Sequence, residues 1–192
     1  MQEAVVAVWY VIQVMHGRED AMARLSGRVV PAEVMGECFS PTFETETKVK
    51  GEWVRVKRQM LPGYLIAVTD EPRCLADAIA PLPEFCRVLM QGGRFIPLGR
   101  DEVELIDGFT RTGARCVPMS AAVKEGDRVV VTEGPLKGHE ALIAEMNRHK
   151  SLAYLELDIC GRRVRTRVGL GVLSAKRAEE RAAESQDVHS PS

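Results

Sequence analysis

A chain of 192 residues that is 45% hydrophobic and 28% charged has the composition of an ordinary globular protein, long enough for one domain or two small ones. Its 26 Lys and Arg nearly cancel its 27 Asp and Glu, which excludes a uniformly polycationic binder and confines any nucleic-acid contact to a local patch. The five cysteines, Cys38, Cys74, Cys86, Cys116 and Cys160, form no Cys-x-x-Cys pair and have no histidines clustered with them, so no metal site is expected.

Scattered thiols of odd number fit a reducing, cytoplasmic setting. Ala4 to Trp9 is too short for a signal peptide or a membrane span, and no membrane association is expected. In chain order, Val5 to Val14 reads as a strand with Val6, Val8, Tyr10, Ile12 and Val14 on one face and Val5, Ala7, Trp9 and Val11 on the other. Both faces are apolar, which predicts a central strand with helices on one side and another cover on the other. Glu19 to Val30 has helical spacing and ends before Pro31. Glu44 to Val56 is expected to form a charged β-hairpin with Lys50-Gly51-Glu52 at its tip, read first as a solvated projection and second as a nucleic-acid contact. A Pro62-Gly63 turn enters a buried strand to Val68, Pro72 to Ile79 is a short helix, and Gly92-Gly93 turns a small hairpin. Asp101 to Thr112 closes the region as a helix. Helices on a mostly antiparallel sheet make an α+β sandwich.

Gly113 to Ala122 has no helical period and is read as a linker. After it, Arg128 to Thr132 is a β-branched strand, Gly134-Pro135-Leu136-Lys137-Gly138 is a turn, and His139 to Met146 is a second strand, together a local hairpin. Leu152 to Ile159 and Arg162 to Val168 follow as strands around Gly161, and Val172-Leu173 closes a five-stranded set. Residues 176–192 form a polar tail, expected to be disordered.

The stretch Gly126-Asp127-Arg128-Val129-Val130-Val131, followed by Gly134 to Gly138, resembles the KOW motif of transcription elongation factors and some ribosomal proteins. Trp9-Tyr10-Val11 with Gly17, and Leu61-Pro62-Gly63-Tyr64-Leu65, resemble the opening and Pro-Gly-Tyr motifs of the NusG family. Ile96-Pro97-Leu98 before Asp101-Glu102-Val103 resembles the approach to that family's last N-domain helix, so the likeness runs over residues 8–175. It implies an N-terminal α/β sandwich with an antiparallel sheet (NGN-like, 1–112), a linker (113–122), a small SH3-like β-barrel (KOW, 123–175) and the tail (176–192). His139 stands where housekeeping members place an aromatic, and the Arg148-His149-Lys150 turn with Gly169 to Leu173 is more similar to the LoaP group.

No nucleophile–base arrangement or phosphate-binding glycine loop emerges, so neither enzymatic activity nor a cofactor is expected. The resemblance implies docking on the clamp helices of the largest catalytic subunit of RNA polymerase through Trp9, Tyr10, Leu61, Pro62 and Tyr64. The same residues also read as plain core. Between Asn147 and Arg167, six cations (Arg148, Lys150, Arg162, Arg163, Arg165 and Arg167) face two acids, Glu156 and Asp158. Alternation puts Arg163, Arg165 and Arg167 on one strand face, ~6–7 Å apart, where guanidinium forks can meet phosphates. With Lys137 they form a candidate RNA surface, for which the resemblance implies a nascent RNA hairpin; non-template DNA is a further candidate partner. The leading expectation is a monomeric, operon-specific processive antiterminator. The alternatives are a housekeeping factor coupling polymerase to ribosome or Rho, and a ribosome-associated RNA-binding protein.

Overall fold

In the computed structural model, which describes residues 8–110, 114–126 and 128–174, the apolar alternation of the first strand becomes the centre of an antiparallel sheet. The elements begin β1 (Trp9–Val14), α1 (Glu19–Val29), β2 (Glu37–Phe39), β3 (Thr42–Val49), β4 (Glu52–Gln59), β5 (Tyr64–Val68), α2 (Pro72–Ile79) and β6 (Cys86–Val88). They continue β7 (Met90–Gln91), β8 (Arg94–Phe95), α3 (Arg100–Phe109), β9 (Cys116–Val117), β10 (Ser120–Glu125), β11 (Arg128–Glu133), β12 (Ile143–Asn147), β13 (Leu152–Ile159) and β14 (Arg162–Ser174). Among the described residues, three α-helices against extensive sheet make a mixed α+β fold. Two compact units arise, and each draws on separate stretches of chain.

The first unit takes the described parts of Met1–Thr42 and Gln59–Cys116 with Leu157–Val164. Its sheet runs β2-β5-β1-β6, with Ile12 opposite Leu65 on one side and Val88 on the other. Ile12, Val14, Leu65 and Ala67 face Met22 of α1 and Leu75 and Ile79 of α2, and Tyr10 packs partly against this core. That is the helix-covered face the alternation predicts. Trp9, Val11, Tyr64 and Ile66 point to the other face.

The second unit takes Phe43–Arg58 and the described parts of Val117–Glu156 and Arg165–Ser192. The five-stranded sheet runs β11-β10-β14-β13-β12. Four details differ from the sequence expectation. The stretch read as linker holds β9 and the start of β10, and β10 lies parallel to β14, with Ser120 opposite Leu170. Val172-Leu173 is no separate strand but the end of β14, a single strand of 13 residues. The glycine-rich turn does not close a hairpin, because β11 pairs with β10 and β12 with β13, at opposite ends of the sheet order. A 3₁₀ turn at Glu140–Leu142 occupies residues expected in the second strand. Leu136 is fully buried, and its N–H donates to Ser120 Oγ at 3.1 Å. The expected polar tail lies outside the described residues, as does Asp127 of the KOW-like motif.

The two glycines of β14 have unlike surroundings. A Cβ on Gly169 would stand 2.0 Å from the Glu44 carbonyl oxygen, a backbone atom of β3, whereas one on Gly171 would meet the flexible end of Met119 at 3.1 Å. Gly169→Ala should therefore destabilise the protein by about 1–3 kcal/mol through strand displacement, and Gly171→Ala by much less. Urea denaturation of the two variants checks the order.

Candidate functional site

Two surfaces gather the predicted residues. On the face of β1 and β5 away from the helices, Val11, Leu61, Tyr64, Ile66 and Leu89 form an apolar floor. Ile159, Arg162 and Val164, from the stretch Leu157–Val164 of the same unit, complete the lining. The cover is held by Glu102 of α3, whose Oε1 accepts the Cys160 N–H at 2.8 Å while Oε2 accepts the Gly99 N–H at the helix start at 2.5 Å. Of the five residues expected to dock a partner, Pro62 is exposed and Tyr10 and Tyr64 are half-buried. Leu61 is only 2% exposed. Trp9, 6% exposed, is packed rather than presented: its ring meets Phe39 edge-on at 5.5 Å, with the Arg115 guanidinium 5.1 Å from its centroid. Two sequence motifs supplied these residues to one expected docking surface; the fold divides them between a packed end and a partly covered floor.

The Pro62-Gly63-Tyr64 turn has an anchor that spacing does not reveal. Gly63, at φ +83°, donates its N–H to Glu19 Oε1 at 2.7 Å, and its carbonyl accepts the Val14 N–H at 2.9 Å. Glu19 is 1% exposed. Burial pushes its pKa up, but the N–H groups of Glu19, Gly63 and Gly17 donate to the carboxylate and, with His16, bring the net shift down.

The basic residues lie on the second sheet and its turns. Arg163, Arg165 and Arg167 are exposed and alternate with half-buried Val164 and buried Thr166 and Val168, as expected. Arg162, Lys137, Arg148 and Lys150 are exposed too, the last two on a 3₁₀ turn whose Asn147 side chain accepts the Lys150 N–H at 3.0 Å. The row has neighbours that reading along one strand overlooks. Arg165 hydrogen-bonds Glu145 of β12 and crosses the Tyr154 ring at 5.0 Å, and Glu145 is the register partner of Tyr154. Cys160 (φ +50°) and Gly161 (φ +70°) form a two-residue turn, which sets Asp158 beside Arg163 and Glu156 beside Arg165. Cross-strand acids thus neutralise part of the row. Among the described residues no group of three His, Cys, Asp or Glu is placed to hold a metal ion, and no helix is long and apolar enough to cross a membrane.

Comparison with known proteins gives this geometry a context. A family model described as "Transcription termination factor nusG" matches residues 7–107. The chain belongs to the NusG family. Its relatives include the transcription termination/antitermination protein NusG of Campylobacter jejuni, 28% identical over 159 residues (80% of this chain, 89% of the relative). The NusG of Thermus thermophilus is 26% identical over 166 residues, covering 80% of this chain and 90% of that protein. A solved structure titled "Domain interaction in Thermotoga maritima NusG" covers 88% of this chain and 96% of its own at a TM-score of 0.50 and 16% identity, a likeness of fold. The protein is a NusG-type transcription termination/antitermination factor.

Within this NusG chain, Glu19, Glu102 and Arg115 are site-forming residues to which motif reading assigns no role. Glu19 and Glu102 shared one signal, an acid in the first turn of a helix beside a glycine, and Arg115 had none. Because its folded pKa lies below the unfolded one, its contribution to stability is complete above the unfolded value and is lost as pH falls through the folded value. Acid unfolding should begin as this carboxylate protonates, and Glu19→Gln should flatten that limb of the stability–pH curve, measured by denaturant titration from neutral to acid pH.

Proposed function

We propose that this NusG-type factor is an operon-specific processive antiterminator, anchored to the clamp helices of RNA polymerase and recruited by nascent RNA. The observation that carries the anchor is the apolar floor of Val11, Leu61, Tyr64, Ile66 and Leu89, with exposed Pro62 at its rim and Trp9 and Tyr10 on the strand beneath. A floor of this kind suits the apolar side of a helical partner. Ile159 and Val164 line the same space, so a helix docking on Leu61 has to displace the 157–164 turn.

RNA contact is assigned to Arg163 and Arg167 with Arg165, supported by Arg162, Arg148, Lys150 and Lys137. Partial neutralisation by Glu156, Asp158 and Glu145 favours a partner that is read by shape and position over one held by bulk charge. An RNA hairpin fits that description. Lys137 and His139 on the exposed side of the glycine-rich turn, in place of a ring, support the specialised role. The likeness to general termination/antitermination proteins supports a second reading, a housekeeping factor acting on most transcripts.

Binding to an isolated clamp-helix fragment tests the anchor. Tyr64→Asp should abolish it with the fold intact, and Ile159→Asp, which loosens the cover, should raise it severalfold; unchanged binding in both sinks the assignment. Replacing Arg163, Arg165 and Arg167 by Ala should weaken RNA binding and flatten its salt dependence. Nascent-transcript profiling after deletion separates the two readings: loss of a few long operons supports the specialised role, and a global change the housekeeping one.

A further inference from the structure

α1 opens with two acids, and both reach back to the segment that carries the Pro62-Gly63-Tyr64 turn. Asp20 Oδ1 accepts the Gln59 side-chain N–H at 3.0 Å, and Gln59 Oε1 in turn accepts the Ser40 hydroxyl. Glu19 Oε1 accepts the Gly63 N–H at 2.7 Å. Between these ties Met60 and Leu61 are buried, and the Met60 N–H donates to the Pro41 carbonyl at 2.8 Å. The Tyr64 N–H closes the turn on the Leu61 carbonyl at 3.1 Å, which leaves Pro62 as its exposed residue.

The two acids are not equivalent. Asp20 is exposed, as an acid in a first helical turn ordinarily is, and there it gains from the helix dipole without losing its water. Glu19 is buried, which is costly for a carboxylate unless N–H donors replace the water. Its own N–H and that of Gly17 come from the helix start, but the third comes from Gly63, 44 positions away. Arg18 is turned to Glu84, and His16 Nδ1, 3.5 Å from Glu19 Oε1, belongs to an exposed side chain. Backbone donors therefore hold the carboxylate, and one of them belongs to the turn.

We propose that Glu19 is a positioning residue for polymerase docking: through the Gly63 N–H, its buried carboxylate fixes the shape in which Pro62 and Tyr64 meet the partner. The inference rests on the docking role proposed above for this turn and adds the group that sets the turn's geometry. A turn fixed in advance gives up less conformational freedom on binding. Gln at this position keeps the length but has one acceptor oxygen, and its NH₂ faces backbone donors. Asp keeps the charge at the helix start but is shorter by one C–C bond, ~1.5 Å, and falls out of hydrogen-bond reach of Gly63. The pair of variants separates the charge on the helix from the tie to the turn.

Full-length, isotope-labelled wild type is compared with Glu19→Gln, Glu19→Asp and Ile79→Val, the last a control that loosens the helix-covered core. Affinity for the isolated clamp-helix fragment, urea stability and the Gly63 amide resonance are measured on each. Both Glu19 variants should move the Gly63 resonance and weaken docking about tenfold, the effect of losing a charge-assisted hydrogen bond. Ile79→Val should lose stability yet bind as wild type, with the Gly63 resonance in place. Should Glu19→Gln fail to fold, Glu19→Asp carries the test, since its charge still suits the helix start. Wild-type affinity in the folded Glu19 variants overturns the proposal, and so does a loss in Ile79→Val as large as theirs, because stability alone would then set affinity. Wild type that does not bind the fragment at all overturns the docking reading, and this proposal with it.

Discussion

One buried guanidinium ties the first unit together. The Arg115 side chain, 10% exposed, donates Nε and Nη2 to Glu37 of β2 at 2.8 and 2.5 Å and Nη1 to Asp107 of α3 at 2.7 Å. Its plane lies 4.4 Å from the Phe39 centroid and 5.1 Å from that of Trp9. One side chain therefore joins β1, β2 and α3, three elements distant in sequence. Hydrogen bonding to Glu37 outweighs the opposing effect of burial and, with Asp107, raises the pKa, so the charge is permanent. The residue adopts φ +43°, a conformation that costs a non-glycine residue ~1–2 kcal/mol. Two carboxylates and two rings offset that cost. A lysine could not, since it lacks the planar fork and the face that stacks.

Fixing Trp9 at one end of β1 has a consequence for the rest of the strand. Odd-numbered side chains leave the helix-covered core. With the indole pinned, Val11 is the apolar side chain of β1 that remains to meet Ile66, Tyr64 and Leu61 on that face, with Gln13 opposite Tyr64. The apolar alternation on both faces of β1 was legible in sequence, and so was the need for a second cover. What supplies the cover was not legible: the 157–164 turn lies about 150 residues further along the chain. Local periodicity carries no information about a partner at that separation. Glu19 shows the intermediate case, where the residue is conspicuous at a helix start but its acceptor role depends on Gly63 arriving from 44 positions away.

The same limit explains the second sheet. Strands with clear alternation, β13 and the first half of β14, were read correctly because their period is local. β10 was missed although it pairs antiparallel with β11 just past Glu125, because Ser120 to Glu125 shows no clear apolar alternation, and its other pairing, parallel to β14, leaves no turn signal. Val129 to Val131 and the glycine turn read as one arm of a hairpin, since nothing in the turn says which strand pairs with which. The arginine row was legible as a row, but its charge was not. Glu145, Glu156 and Asp158 enter only when the strands are laid side by side. A run of like charges read along one strand overstates the local potential whenever the neighbouring strand supplies acids.

Covering an apolar floor with the chain's own turn changes what a binding constant would mean under the proposed reading. Ile159 and Val164 are each worth ~1.5–3 kcal/mol when fully buried, and the turn gives up part of that when a partner replaces it. A net cost of ~1.5–3 kcal/mol corresponds to about 10–150-fold in apparent affinity, since each 1.4 kcal/mol is a factor of ten. The hydrogen bond from Cys160 to Glu102 adds to that cost. Affinity for the polymerase is then a difference between two apolar fits, and a modest contribution from a second ligand is enough to tip it. An uncovered floor would engage every elongating polymerase it met. Under the proposed reading, a covered one would let a contact elsewhere on the chain, with RNA at the arginines of β14, decide which polymerases are engaged.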